Sequence, residues 1–207
     1  MSSKFIIILL LLALVFAGGK LYLSTQGRNT NSTDAEAVLN NILTRSSIRA
    51  YEAKPMEKEK IEKLLRAGMA APSAADKRPW HFVVVTDKQL LNGIANSNPN
   101  VKYAVQAPLA IVVCGDTDKT LPAEGTDYWI QDCSAASENI LLEAHALGLG
   151  AVWTGFYPMK ERCDALAKVL NLPDNLIPLN AIIIGYPKST AKPKDKWDEE
   201  NITYDKF

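Results

Sequence analysis

The sequence predicts an α+β fold, with helices and a sheet layered in one domain, and three observations carry that prediction. Stretches with apolar residues at three- and four-residue intervals alternate with short unbroken apolar runs rich in β-branched residues. The unbroken runs have the character of strands covered on both faces. The chain has 207 residues, enough for a full core, and no internal repeat divides it.

The elements follow in order. From Asp34, a candidate N-cap, a helix carries Val38, Leu39, Ile42 and Leu43 on one side. A second helix opens at Pro55 and Glu57-Lys58-Glu59-Lys60, with Ile61, Leu64, Leu65, Gly68 and Met69 at helical spacing. Phe82–Val85 is the first strand, and Asp87 caps a short helix through Leu90, Leu91 and Ile94. Asn96-Ser97-Asn98-Pro99-Asn100 is a turn cluster. Leu109–Cys114 is the second strand, and a polar loop, Gly115–Gly125, follows it.

The longest helix runs from about Thr126 to Leu147, with Trp129, Cys133, Ala136, Ile140, Ala144 and Leu147 as its stripe. Gly148 ends it. Ala151–Thr154 is a short strand, Lys160–Leu170 a helix, and Leu179–Ile184 the last long strand before Gly185-Tyr186-Pro187. The lysine- and proline-rich Lys188–Lys196 leads to Ile202-Thr203-Tyr204, a terminal strand with too little core of its own to stand alone. Such a strand can add to a partner's sheet.

Composition narrows the function classes. Lys plus Arg number 23 and Asp plus Glu number 23, so the basic excess of a nucleic-acid binder is absent. Cys114, Cys133 and Cys163 have neither metal-ligand nor redox-motif spacing and read as free buried thiols. His81 and His145 lie far apart in sequence, and no metal site is expected. Gly148-x-Gly150 follows a helix rather than a strand and is no dinucleotide fingerprint. Asp132, Glu138 and Glu143 read as solvated charges.

The N-terminus points to export. Lys4 precedes an apolar run from Phe5 to Ala17, followed by Gly18-Gly19-Lys20. This is the layout of a secretory signal, with Val15-Phe16-Ala17 as a cleavage site. An uncleaved anchor is the competing reading, with Leu21-Tyr22-Leu23 extending the run to residue 23. Residues 1–23 are therefore a signal peptide or membrane anchor, 24–34 a flexible linker, and 35–207 the folded domain. Periplasm or cell envelope is the expected location, with a membrane tether through residues 5–23 if the anchor is retained.

Three stretches attract a chemical reading. Ala70–Trp80 joins a helix to a strand through small residues, two prolines, Ser73 and the charges Asp76, Lys77 and Arg78. It is either a ligand loop or a connector with a solvated tip. Arg45, Ser47 and Arg49 alternate, so on an extended segment they share one face, suited to phosphate or a heterocycle edge. Lys194-x-Lys196 repeats that geometry near the end of the chain.

Taken together, Arg45-Ser46-Ser47-Ile48-Arg49, the loop Ala71–Trp80, Gly148–Gly155 and Gly185-Tyr186-Pro187, with the lysine pair behind them, resemble the nitroreductase family of FMN enzymes. The resemblance implies an α+β three-layer fold with a mixed or antiparallel sheet flanked by helices. It implies a homodimer with FMN at the interface and a C-terminal strand exchanged between subunits. Hydride would pass from NADH or NADPH through FMN N5 to a small oxidised acceptor such as a nitroaromatic or quinone. The alternative is an envelope-exposed flavin-binding or interaction protein without NAD(P)H turnover.

By position, the resemblance gives the FMN phosphate and ribityl chain to Arg45, Ser47, Lys194 and Lys196. Arg49 reaches the pyrimidine edge, and Pro72 and Ser73 come from the partner. Backbone around Gly155 faces N5, and Ser46 and Thr154 complete the cofactor-binding set. No side chain is implied as catalytic acid or base. The family usually has Asn and Gln where this chain has Asp76 and Arg78, which also belong to the set. An ionised Asp accepts but cannot donate, and its charge would oppose an electron-rich flavin unless Lys77, Arg78 or Arg49 offsets it.

Overall fold

In the computed structural model, residues 33–207 are described. The described residues fall into two units that divide between Ile42 and Leu43. Residues 1–23, read as signal or anchor, lie outside the described residues, as does the linker stretch up to residue 32. Helix α1 covers residues 33–44, so residues 33 and 34 are already helical. Its apolar side does not pack as an amphipathic face would: Val38, Leu39, Ile42 and Leu43 are all exposed.

From Leu43 onward, one sheet and its covering helices account for the fold. The elements are α2 (Lys58–Met69), β1 (Trp80–Val85), α3 (Lys88–Ser97), β2 (Leu109–Asp116), α4 (Tyr128–Ala146), β3 (Gly150–Gly155), α5 (Lys160–Leu170) and β4 (Leu176–Gly185). The sheet order is β1-β2-β4-β3, with every pairing antiparallel. Side chains of β2 alternate between two cores. Ala110, Val112 and Cys114 join Leu91, Ile94 and Leu166 of α3 and α5, while Leu109, Ile111 and Val113 join Leu64, Trp129, Cys133 and Ile140 of α2 and α4. Both faces are covered, which is why β2 reads as an unbroken apolar run.

Local chemistry sets the boundaries. The Asp87 carboxylate accepts from the Gln89 and Leu90 amides and starts α3 as predicted. Gly148, at φ +70°, turns the chain out of α4. β4 begins at Leu176, three residues before the expected start at Leu179, so Pro178 sits inside it. The register between β2 and β4 shifts between Val113 and Cys114, placing Pro178 opposite Cys114. Such a bulge is where a strand tolerates proline. All three cysteines are buried and free, and burial pushes the Cys114 thiol up to about 12.

The start of β3's outer edge is met by Ser47 and Ile48, and residues 50–52 pair with residues 186–188. Ser47 forms a parallel bridge with Ala151, and the Ile48 amide donates to the Ala151 carbonyl at 3.0 Å. A Cβ on Gly150 would come within 2.6 Å of Ile48 Cγ2, so only glycine allows this close approach. Tyr51, almost fully buried, lies 3.0 Å through its hydroxyl from the Ile183 carbonyl. Strand β1 forms the other edge. Ile202–Tyr204 forms no strand within the chain; a single turn of 3-10 helix, Glu199–Asn201, precedes it, and the rest is extended.

Candidate functional site

The parallel bridge sets Ser47 and Ile48 against the start of β3, and the chain then turns toward the end of β4. Arg49 lies between Ile48, which packs on Gly150, and Ala50, whose carbonyl accepts from the Lys188 amide, while Tyr51 bridges Pro187. Arg45 is half-buried, with Nε 3.7 Å from Glu138 Oε1. Ser47 and Arg49 are exposed. At the Arg45 end a cavity of about 210 Å³ opens among Arg45, Ser46, His145, Ser189 and Thr190 over apolar Ile48 and Leu149. His145 is occupied there: its Nε2 is 2.9 Å from Thr44 Oγ1.

At the far end, Thr154 is buried and Gly155 exposed, and a Cβ at Gly155 would meet nothing within 4 Å. Thr154 Oγ1 is hydrogen-bonded to the Tyr103 hydroxyl. The Gly155 carbonyl accepts from Asn98 Nδ2 at 3.1 Å. Phe156 and Tyr157 amides both donate to the Leu179 carbonyl, at 3.0 and 3.1 Å.

Loop 72–78 is closed on itself. The Ser73 hydroxyl accepts from the Arg78 amide at 3.0 Å, and the Asp132 carboxylate accepts from the Ala74 amide at 3.0 Å. Ala75, Asp76 and Arg78 have φ of 48°, 54° and 49°, a left-handed region that non-glycine residues enter rarely. Pro72, Asp76 and Arg78 are exposed and Ser73 partly so. Asp76 and Arg78 form a fork: Arg78 Nε donates to Oδ1 at 2.6 Å and the adjacent Nη2 to Oδ2. The guanidinium holds the Asp76 carboxyl below its ordinary range by hydrogen bonding and then by charge. The offset that the sequence left open between Lys77, Arg78 and Arg49 falls to Arg78.

Arg45, Ser46, Ser47 and Arg49 therefore gather at the Gly150 end of β3, and Thr154 and Gly155 form its other end. Pro72, Ser73, Asp76 and Arg78 form a separate loop. Lys194 and Lys196 are exposed on the extended tail, with no hydrogen bond or ion pair to the Arg45 segment among the described residues.

Sequence reasoning missed several residues. Asp132, read as a solvated charge, is buried at 6% exposure because its carboxylate caps the loop; nothing local in a helix announces so distant a partner. Glu138 is the neighbour of Arg45 rather than a free surface charge. Asn98 was visible only as part of a turn, although Asn before Pro is a capping signal.

The donor set of Arg45, Ser46, Ser47 and Arg49 at the start of β3, with the open Gly155 at the end of that strand, suits the chemistry of a flavin mononucleotide, anionic at one end and a polar-edged ring at the other.

Comparison with known proteins agrees. The model of the nitroreductase family matches residues 42–102 and 97–186. A protein of Methanothermobacter thermautotrophicus, provisionally named an NADH dehydrogenase/NAD(P)H nitroreductase, is 43% identical over 171 residues, 82% of this chain and 87% of that protein. The FMN-dependent nitroreductase of Clostridium difficile superposes with a TM-score of 0.75 at 31% identity, covering 82% of this chain and 99% of that one. The NADPH:FMN oxidoreductase of Vibrio harveyi, complexed with NAD+, gives 0.74 at 26% identity, covering 82% and 77%.

These relatives overturn the expectation of export. They are named for reactions with NAD(P)H or NADPH, whose charged phosphates keep it from crossing a membrane unaided, and among the described residues no helix is long and apolar enough to span one. The periplasmic or envelope location is withdrawn; residues 5–23, where a tether was expected, lie outside the described residues. With the motifs in register, the sheet and helices in the expected layers and these likenesses over four-fifths of its length, the chain belongs to the nitroreductase family.

Proposed function

We propose that the protein is an FMN-dependent NAD(P)H oxidoreductase, acting as a homodimer, that reduces small oxidised acceptors such as nitroaromatics or quinones. One observation carries the reading: a run of cations and hydroxyls, Arg45 to Arg49, is anchored on the start of β3 by the Ser47–Ala151 bridge, with Arg45 and Ser46 lining a cavity of about 210 Å³. FMN supplies the hydride relay when bound; the chain supplies position and charge. Arg45 and Ser46 hold the phosphate at the cavity end, Ser47 the ribityl chain, and Arg49 the pyrimidine edge. Thr154 and the Gly155 backbone form the wall beside the reacting part of the ring.

The remaining contacts come through a second copy. Pro72 and Ser73 stand on a loop apart from the strand edge, and Lys194 and Lys196 on a tail that leaves it. Trp197, Ile202, Tyr204 and Phe207 of that tail are all exposed, at 72%, 37%, 84% and 115%. Apolar side chains of that size in a row favour cover by another subunit. The fork between Asp76 and Arg78 presents the ring with a paired group rather than a bare carboxylate. That removes one support for a flavin-binding protein without turnover, and the withdrawn export removes the other.

Anaerobic titration tests the proposal. The purified protein should be yellow and should bleach with NADH or NADPH, then recover colour when a nitroaromatic or quinone is added. A colourless protein that takes up no FMN would falsify it.

A further inference from the structure

Glycine at position 155 leaves open space where the ring would lie, and glycine is also the residue least able to hold its own peptide planes. The structure solves this from a distant segment. Asn98 is fully buried between α3 and the 3-10 helix Pro99–Gln106. Its two side-chain atoms do different things. Oδ1 accepts from the Asn100 amide at 3.0 Å and caps the turn; Nδ2 donates to the Gly155 carbonyl at 3.1 Å.

The first bond is ordinary capping, which Ser or Asp would provide equally well. The second needs an amide. It fixes the carbonyl of the peptide between Gly155 and Phe156, whose amide is held at its other end by the Leu179 carbonyl. Tyr103, five residues after Asn98, holds Thr154 through its hydroxyl. Both residues at the end of β3 are thus gripped by side chains from one short segment.

We propose that Asn98 is a positioning residue for the cofactor, its side-chain amide orienting the Gly155 peptide against the flavin, with Tyr103 as its assistant through Thr154. This rests on the flavin reading given above. Loss of the amide leaves the cap intact but frees the peptide plane, so the backbone polar groups at the strand end no longer meet the ring in one fixed orientation. The consequence is a change in how the bound flavin is held, rather than in whether the chain folds.

The discriminating variant is Asn98→Ser, which keeps a cap oxygen for Asn100 and loses the Nδ2 group that donates to Gly155, its single hydroxyl being one bond shorter. Three readings are taken on wild type and variant: FMN affinity by titration into apoprotein, the visible spectrum and midpoint potential of the bound flavin, and amide hydrogen exchange at Phe156. We expect affinity to fall about tenfold, the scale of one lost hydrogen bond. The spectrum and potential should shift, and Phe156 exchange should speed up while the thermal transition stays near wild type. Tyr103→Phe should move the same readings less. A yellow wild type whose Asn98→Ser form matches it in affinity, spectrum and potential overturns this inference and leaves the flavin reading standing. A wild type that binds no FMN overturns both. Should Asn98→Ser fail to fold, Asn98→Asp decides by the same criteria.

Discussion

Two exposed stretches carry candidate site residues, and they are finished to different degrees. Loop 72–78 is locked within its own chain by the Ser73–Arg78 and Asp132–Ala74 bonds, a forked ion pair and three left-handed residues. The tail beyond Pro187 has one backbone bond to the body, from the Lys188 amide to the Ala50 carbonyl, and otherwise makes local turns around Asp195 and Asp198. The loop is a preformed surface that a ligand can meet without ordering cost. The tail, with large apolar side chains in solvent, acquires its conformation from whatever covers it.

The difference can be broken from the tail side first. Replacing Ile202 and Tyr204 by Asp should turn a dimer into a monomer by light scattering while leaving the far-ultraviolet circular dichroism of the body unchanged; an unaltered mass would show that the tail does not join subunits. Next in size, Lys194→Ala with Lys196→Ala should weaken FMN binding about 100-fold, taking about 1.5 kcal/mol for each charge-assisted contact, with no change in thermal stability. Equal affinity would remove the tail from the phosphate site.

On the loop side the effects are smaller and fall on stability. Asp132→Ala leaves the Ala74 amide without its buried acceptor and should cost about 1–3 kcal/mol in denaturant unfolding, with Asp132→Asn retaining part of it. The Asp76–Arg78 pair gives the smallest effect, since both side chains are largely exposed and an exposed pair is screened. Its sign is still definite. The Asp76 carboxyl is held low in the folded protein, so its contribution is complete above the ordinary carboxylate range and disappears as pH falls through the depressed value. Arg78→Gln should flatten that acid-side dependence, and adding Asp76→Asn should return the flavin potential toward wild type. Two single variants with independent, additive effects would show that the pair does not act as a unit.

Much of this was legible from residues alone. Helix α5 lies at Lys160–Leu170 as its periodicity says, and the β2 run is continuous because two helical layers cover it. The arginine segment was readable because alternation on an extended strand is a local property. What escaped was set by distance. Asn98 meets Gly155 across 57 positions and Asp132 meets Ala74 across 58, and no local pattern encodes such pairs. The exposure of α1's apolar side escaped for a related reason: periodicity announces a face but not what lies against it.

The two borders of the sheet are unequal, and that asymmetry carries a prediction about assembly geometry. Beside β3 the start of the strand is taken, because Ser47 bridges Ala151 and Gly150 lets Ile48 come too near for anything else to enter there. Beyond the outer edge of β1 no strand pairs among the described residues. An incoming strand, from a second copy's terminus or any other source, has a full-length berth there, and it adjoins the element that loop 72–78 runs into. Occupying that berth would join the growth of the sheet to the completion of the pocket, so that subunit pairing and cofactor capture would rise and fall together.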